Sequence, residues 1–395
     1  MKPYEDPELF ENTSIAFSYR TDAELRQARW LFKLIENPSI VTFGKKILPL
    51  ADKLHIPYHW IVKKTIFRQF CGGETMQESL PTIERLYQFG VKSILDYSVE
   101  GKESEDDFEH TCLKIIEIIR FSKDKPAIPF AVFKMTGIGR FALLEKVSKQ
   151  CPLTANELKE WERVQSRVNS ICAEAALCNL PVMIDAEESW IQPAIDTLAE
   201  EMMWKYNTDK PVVYTTLQMY RHDRFEYLKT LLLRARELNR KIGVKIVRGA
   251  YMEKERERAR QLGYTDPIQP DKASSDRDYD YALRLVVDNL HQFGLVAGTH
   301  NEESCRVLMR AMADYNVHND DPRVYFSQLY GMSDHLSFNL AALRYNVVKY
   351  VPFGPVHDVL PYLIRRAEEN TSVAGQTGRE LSLINKELKR RNLIE

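Results

Sequence analysis

The chain has 395 residues, 44% hydrophobic and 28% charged, the composition of an ordinary globular protein with material for one large core or two smaller ones. Lysine and arginine number 55 against 56 aspartate and glutamate, so no net field is available to hold nucleic acid, and no basic stripe with interleaved aromatics runs through the chain. The cysteines (Cys71, Cys112, Cys151, Cys172, Cys178, Cys305) form no C-x-x-C and no histidine pair completes a zinc pattern, so they read as buried thiols of a reducing compartment and no metal is expected.

Residues 1–90 read as a helical arm. Glu5, Asp6, Glu8 and Glu11 give the N-terminus the wrong charge for a signal or transit peptide. Thr21-Asp22 is placed to cap a helix through Leu25, Ala28, Leu31 and Leu34. Similar periodicity marks Ile47–Leu54, Trp60–Phe70 and Met76–Phe89, with a break at Gly72-Gly73. No apolar run reaches the length of a membrane span.

After Gly90 the texture changes. Short apolar, β-branched or aromatic runs occur at Ser93–Tyr97, Phe130–Lys134, Val182–Asp185, Val212–Leu217, Gly243–Val247, Leu295–Thr299, Val324–Gln328 and Val347–Val351. Nearly continuous apolar character is what parallel strands buried on both faces require. Helical patterns separate them. The clearest follows the capping box Thr154-x-x-Glu157 and carries Leu158, Trp161, Val164, Val168, Ile171 and Ala175 on one stripe. Eight strands alternating with helices predict an α/β fold, a (β/α)₈ barrel, over 91–380, with a doubly wound open sheet as the alternative and a helical tail at 381–395. Gly137-Ile-Gly139-Arg-Phe-Ala142 matches a dinucleotide fingerprint, but the preceding strand ends in a charged Lys134 and the strand count favours a barrel.

In such barrels the chemistry sits at the C-terminal ends of the strands. Those ends carry Asp96 and Glu100, Lys134, Asp185 with Glu187, Gln218, Lys245 to Tyr251, Thr299-His300-Asn301, Gln328 and Tyr350. One helix beyond the last strand stands the pair Arg365-Arg366, followed by Glu369. Adjacent guanidinium forks match a carboxylate or a phosphate. The plain alternative is an i,i+4 pair of Arg365 with Glu369 on a solvated face. Lys134, Arg365 and Arg366 suit one small carboxylate, balanced by Asp96, Glu100 and Asp185. Gln218, Lys245, Arg248, His300, Asn301 and Gln328 suit a large, flat, polar cofactor. No H-x-H marks a catalytic metal, and no G-x-S-x-G a serine nucleophile.

Several ordered motifs resemble those of the proline dehydrogenase family: Leu95-Asp-Tyr-Ser-Val-Glu-Gly101, Asp185-Ala-Glu-Glu188, Val247-Arg-Gly-Ala-Tyr-Met252, Gly298-Thr-His-Asn301, and Tyr350-Val-Pro-Phe-Gly354 through Tyr362-Leu-Ile-Arg-Arg-Ala-Glu-Glu-Asn370. The likeness covers Gly90 to about residue 380, and Phe70-Cys-Gly-Gly-Glu74 joins it. The resemblance implies a distorted (β/α)₈ barrel whose last helix lies over the mouth. It also implies FAD as cofactor and oxidation of L-proline to Δ¹-pyrroline-5-carboxylate, with electrons passed to a membrane quinone and peripheral association with a membrane. Under it, Arg365, Arg366 and Lys134 clamp the proline carboxylate, and Tyr350 packs on ring C4, favouring proline over hydroxyproline. Asp185 orients a nearby cation, Glu100 gates against Arg365, and Asp96 supports that network. Gln218, Lys245, Val247, Arg248, Gly249, Ala250, Thr299, His300, Asn301 and Gln328 become FAD contacts.

Lys245 departs from bacterial bifunctional relatives, which resemble one another in having Arg there; Lys keeps the charge with fewer donors. Lys386, Lys389, Arg390 and Arg391 form a basic C-terminal cluster, read as a solvated helix end or as a lipid contact. The acidic start favours the cytoplasmic face of a bacterial inner membrane; the alternative is the matrix side of the mitochondrial inner membrane. Two rival functions remain: a Schiff-base aldolase on Lys134 or Lys245, and a non-catalytic barrel, which has no reason to hold polar groups at nearly every strand end.

Overall fold

The computed structural model describes residues 2–37, 59–97, 103–372 and 376–395. Among the described residues, eight parallel strands close into a barrel in chain order: β1 (Val91–Tyr97), β2 (Phe130–Lys134), β3 (Val182–Asp185), β4 (Val213–Gln218), β5 (Ile242–Val247), β6 (Phe293–Gly298), β7 (Val324–Leu329) and β8 (Val347–Phe353). Every strand expected from the sequence is present, with ends shifted by at most two residues. The open-sheet alternative falls with the closure. Every residue of β4 and of β8 is buried, which is the physical reason why apolar and β-branched residues dominate them and why the polar exceptions, Thr215, Thr216, Gln218 and Lys349, are buried too.

The contacts divide the chain into two compact units, Gly101–Ser327 and Met1–Glu100 with Gln328–Glu395. In the first, β2 to β7 pair side by side with Lys134 opposite Asp185, Thr216 opposite Lys245, and Gly298 opposite Ser327. The capping box at Thr154 opens the helix Ala155–Cys178: Thr154 Oγ1 accepts from Glu157 N at 3.2 Å, and Glu157 returns the bond to Thr154 N at 2.9 Å. The dinucleotide-like glycines are packing positions. A Cβ on Gly139 would stand 2.9 Å from Val164, and one on Gly137 would stand 3.3 Å from Thr111, so helices occupy the space a pyrophosphate would need.

In the second unit the capping box at Thr21 opens the helix Asp22–Ile35. Its stripe of Leu25, Ala28, Leu31, Phe32 and Ile35 joins Leu383, Ile384 and Leu388 of the C-terminal helix Gln376–Arg390 in one apolar cluster. The chain's two ends therefore share a core. Around Trp60–Phe70 the expected helix contains a wide turn over Lys63–Phe67. The expected helix at Ile47–Leu54 lies outside the described residues. The Gly72-Gly73 break lets the backbone lie against the end of β8: Gly72 N donates to Pro352 O at 2.9 Å, and a Cβ there would collide with Val351.

Cys71, Cys112, Cys172 and Cys305 are buried as expected, but Cys151 is exposed and Cys178 only half-buried. Cys151 lies in the short stretch between two helices, and Cys178 is the last residue of the helix Ala155–Cys178, ahead of its Asn179 cap. At such ends the chain turns outward and packing is incomplete.

Candidate active site

Residues paired in register on adjacent strands point to the same face of the sheet. Lys134, Asp185, Thr216 and Lys245 therefore form one inward row near the C-terminal ends of β2 to β5. Lys245 Nζ lies 2.5 Å from Asp185 Oδ1, with the side chains 8% and 14% exposed. A charge pair this withdrawn from water is costly unless its lone pairs and protons find further partners. The hydroxyl of Thr216 beside it is buried and finds no hydrogen-bond partner among the described residues.

Two residues further along, Gln218 is buried at the end of β4 and its Nε2 donates to Glu187 O at 2.7 Å. Glu187 is buried, and its carboxylate accepts from Thr136 N at 3.0 Å and from Thr136 Oγ1 at 2.5 Å. Burial pushes its carboxyl up to about 7, while the Thr136 bonds and the charge of Lys134 act to lower it and Glu188 to raise it.

At the end of β5, Val247 and Arg248 are half-buried, and Gly249-Ala250 just beyond lie exposed. The backbone of Gly249 has φ +144°, and a Cβ there would run into the ring of Tyr220. Arg248 is held on three sides, by Asp276 at 2.6 Å, Thr299 Oγ1 at 3.0 Å and Ser304 Oγ at 2.9 Å, with its guanidinium 4.4 Å from the centroid of Tyr279. Thr299 Oγ1 also accepts from Asn301 N at 3.0 Å, and Asn301 caps the next helix through Ser304 N at 3.0 Å. The Thr299-His300-Asn301 corner is thus built by its own polar groups, with His300 half-buried between them. The expected cofactor residues of this unit fall into two sets: an inner set of Gln218 and Lys245, and an outer set of Val247 to Ala250 with Thr299 to Asn301.

In the other unit Tyr350 is buried on β8 opposite Ile94, and its carbonyl accepts from Tyr330 N at 2.8 Å. Asp96 is buried near the end of β1 and adds to the burial that raises the Cys71 thiol. Gln328 is buried at the end of β7 and accepts from Ser337 Oγ at 2.9 Å. Arg365 and Arg366 lie in the helix Val356–Ser372. Arg366 is 8% exposed, its guanidinium 5.2 Å from the centroid of Tyr362, while Arg365 is half-buried. Arg366 is therefore not a solvated surface group, while the plain reading of Arg365 with Glu369 falls outside the described side chains. Glu100 and the side chain of Glu369 lie outside the described residues. The basic C-terminal cluster is largely neutralised within the protein: Lys386 pairs with Glu11 at 3.0 Å, Arg390 with Glu387 at 2.8 Å, and Arg391 with Asp22 at 2.8 Å.

Thr136, Thr216 and Asp276 enter the site without having been expected, and Glu187 gains a structural partner that its strand-end position did not reveal. The alternation Asp185-x-Glu187 was a usable signal for Glu187; nothing in the sequence pointed to Thr136, whose part depends on a turn two residues past Lys134.

A closed (β/α)₈ barrel with charged and amide side chains at its strand ends defines the class of this protein. Residues 79–379 match the family model described as proline dehydrogenase. The chain is 32% identical over 426 residues to proline dehydrogenase 1, mitochondrial, of Dictyostelium discoideum, covering 96% of this chain and 74% of that protein. It is 31% identical over 412 residues to hydroxyproline dehydrogenase of Xenopus laevis, covering 95% and 88%. Proline utilization A from Bdellovibrio bacteriovorus, inactivated by N-propargylglycine, shares the fold with a TM-score of 0.71 at 20% identity, over 80% of this chain and 34% of that one. This chain therefore spans about a third of that longer protein. The chain belongs to the proline dehydrogenase family.

Proposed function

We propose that this chain oxidises L-proline to Δ¹-pyrroline-5-carboxylate on bound FAD and passes the electrons to a membrane quinone. Family membership carries the substrate; the inward Lys245–Asp185 pair, with the buried Thr216 hydroxyl beside it that has no partner among the described residues, carries the cofactor reading. Such a row suits a ring with both acceptors and donors at its edge, and the exposed Gly249-Ala250 backbone suits close approach of a larger group. FAD, when bound, supplies the acceptor for the hydride that leaves proline C5.

The protein's own residues bind and orient. Lys134 is assigned to the substrate carboxylate from the end of β2, and Lys245 to the cofactor, with Asp185 holding its ammonium in place. Gln218, Val247 to Ala250, Thr299, His300, Asn301 and Gln328 are assigned to the cofactor. Arg365 and Arg366 are assigned to carboxylate recognition, Tyr350 to the choice of ring substituent at C4, and Asp96, Glu100 and Glu369 to charge balance around the arginines. Positioning of this kind supplies several kcal/mol of a barrier. The proton on the proline nitrogen leaves to solvent as the C5=N bond forms, so two electrons and one proton leave with the hydride and a second proton is released.

Tyr350 favours proline over 4-hydroxyproline as substrate. Relatives named mitochondrial support the mitochondrial alternative, within which the matrix side of the inner membrane is the proposed place of action. Among the described residues no helix is long and apolar enough to cross a membrane, so association is proposed as peripheral. The test is a visible spectrum of the purified protein before and after anaerobic L-proline. Flavin bands that bleach with L-proline, and less with 4-hydroxyproline, support cofactor and substrate together. Bands that persist remove proline. No bands after reconstitution with FAD bring forward the aldolase, which borohydride with substrate then traps.

A further inference from the structure

Between the ends of β2 and β3 the ladder is continued by side chains. Lys134 and Asp185 are the last backbone partners. Two residues on from each, Thr136 and Glu187 make the next rung: the Glu187 carboxylate takes both the N–H and the hydroxyl of Thr136. Glu187 is itself fixed at two further points, one of them held in turn by a third residue. Its N–H donates to Gln192 Oε1 at 2.9 Å, its carbonyl accepts from Gln218 at 2.7 Å, and Gln192 is steadied by Asp196 at 2.8 Å. The carboxylate is therefore a rigid post, and what it holds is the short turn Met135–Gly137 immediately after Lys134.

We propose that Glu187 is a positioning residue for Lys134: its buried carboxylate fixes the turn that presents this lysine to the substrate carboxylate, and protonating it loosens that presentation. The inference rests on the role given to Lys134 under the proposed function. An ionised carboxylate accepts two bonds from Thr136 and leaves a negative charge facing Lys134. A protonated one must turn an oxygen into a donor and loses that charge. Burial puts the change near neutral pH. The other charges around it are already engaged: Glu188 pairs with Lys254 at 2.5 Å, Asp196 with Arg224 at 2.6 Å, and Asp185 with Lys245. Glu187 is the member of this group whose oxygens meet only neutral donors.

The test uses the holoenzyme and the oxygen isostere of the substrate, tetrahydrofuran-2-carboxylate, which keeps the carboxylate and has no amine to titrate. Its dissociation constant is measured by calorimetry from pH 5.5 to 8.5. In the wild-type protein it rises about tenfold from pH 8.5 to pH 5.5 through one titration near neutrality, the change expected when binding lowers the Glu187 pKa by about one unit. In Glu187→Gln, which cannot ionise, it varies less than about threefold over the same range. Thr136→Val removes one bond to the ionised form and shifts the wild-type midpoint to higher pH; this variant decides the matter should Glu187→Gln not fold. A wild-type constant that is flat with pH, a titration that persists in Glu187→Gln, or an unmoved midpoint in Thr136→Val overturns the inference. Holoenzyme that L-proline bleaches but whose binding is flat with pH fails this inference alone. Holoenzyme that L-proline never bleaches fails the proposed function, whatever the titration gives.

Discussion

Two groups of buried charge in this molecule are built on opposite plans. In the unit containing both chain ends, Asp334 receives Tyr19 at 2.8 Å, Arg20 at 2.9 Å and Lys349 at 3.0 Å, and Lys349 also donates to Met332 O at 2.7 Å. Lys349 is fully buried and Asp334 nearly so. Burial acts against the charge on Asp334, but Lys349 and Arg20 hold its carboxyl below the usual range. Asp334 is thus set between two cations, with the buried Glu380, its carboxyl raised by burial, close by, and the cluster ties the turn after β7 to β8. In the other unit, Lys134 and Asp185 keep some exposure, a buried hydroxyl stands beside them without a partner among the described residues, and a carboxyl is pushed up to about 7. Charge sealed among opposite charges in the interior serves architecture; charge that keeps some exposure at strand ends stays within reach of a ligand.

The sharpest way to break this contrast is Lys349→Met. Removing one partner of a buried charge pair costs about 3 kcal/mol or more, toward the low end because Arg20 remains on Asp334. Chemical denaturation should show that loss, with KM for proline unchanged in the folded protein. A large KM change with little loss of stability would place Lys349 in the catalytic group instead.

The raised carboxyl of Glu187 gives the next effect. Its folded value lies above its unfolded 4.5, so its contribution to stability is complete below that value and disappears as pH rises through about 7. From pH 5 to pH 8 the wild-type protein should lose about 2–3 kcal/mol relative to Glu187→Gln, measured by urea denaturation at each pH. Equal slopes for the two proteins would remove Glu187 from the titrating set.

Arg366→Met should lower kcat/KM for L-proline about 100-fold, mostly through KM, while bound flavin absorbance is kept; that is a loss of about 2.7 kcal/mol. Normal proline affinity would return Arg366 to architecture, stacked on Tyr362 and nothing more. The smallest effect is expected from Tyr350→Ser, which should move the proline to 4-hydroxyproline specificity ratio about tenfold toward the hydroxylated ring. An unchanged ratio would make Tyr350 a packing residue at the rim.

Sequence by itself settled the strands. A run such as Val-Tyr-Thr-Thr-Leu-Gln, buried along its whole length, has no other stable home than a parallel sheet covered on both faces, so its identity is local. It also settled the helix cap at Thr21 and the capping box at Thr154, whose bonds close within four residues. Strand ends exposed Lys134, Asp185 and Lys245 as candidates because position along a barrel strand predicts which end faces chemistry. Pairing was another matter. That Lys245 meets Asp185 across 60 residues, that Glu187 holds Thr136, and that Lys349, adjacent to Tyr350, is sealed inside depend on register and on which helix covers which strand. Those are long-range choices made by the packing of the whole barrel. A lysine in a strand reads the same in sequence whether it ends in water, on a carboxylate or against a ligand, because its partner is fixed only when distant segments close around it.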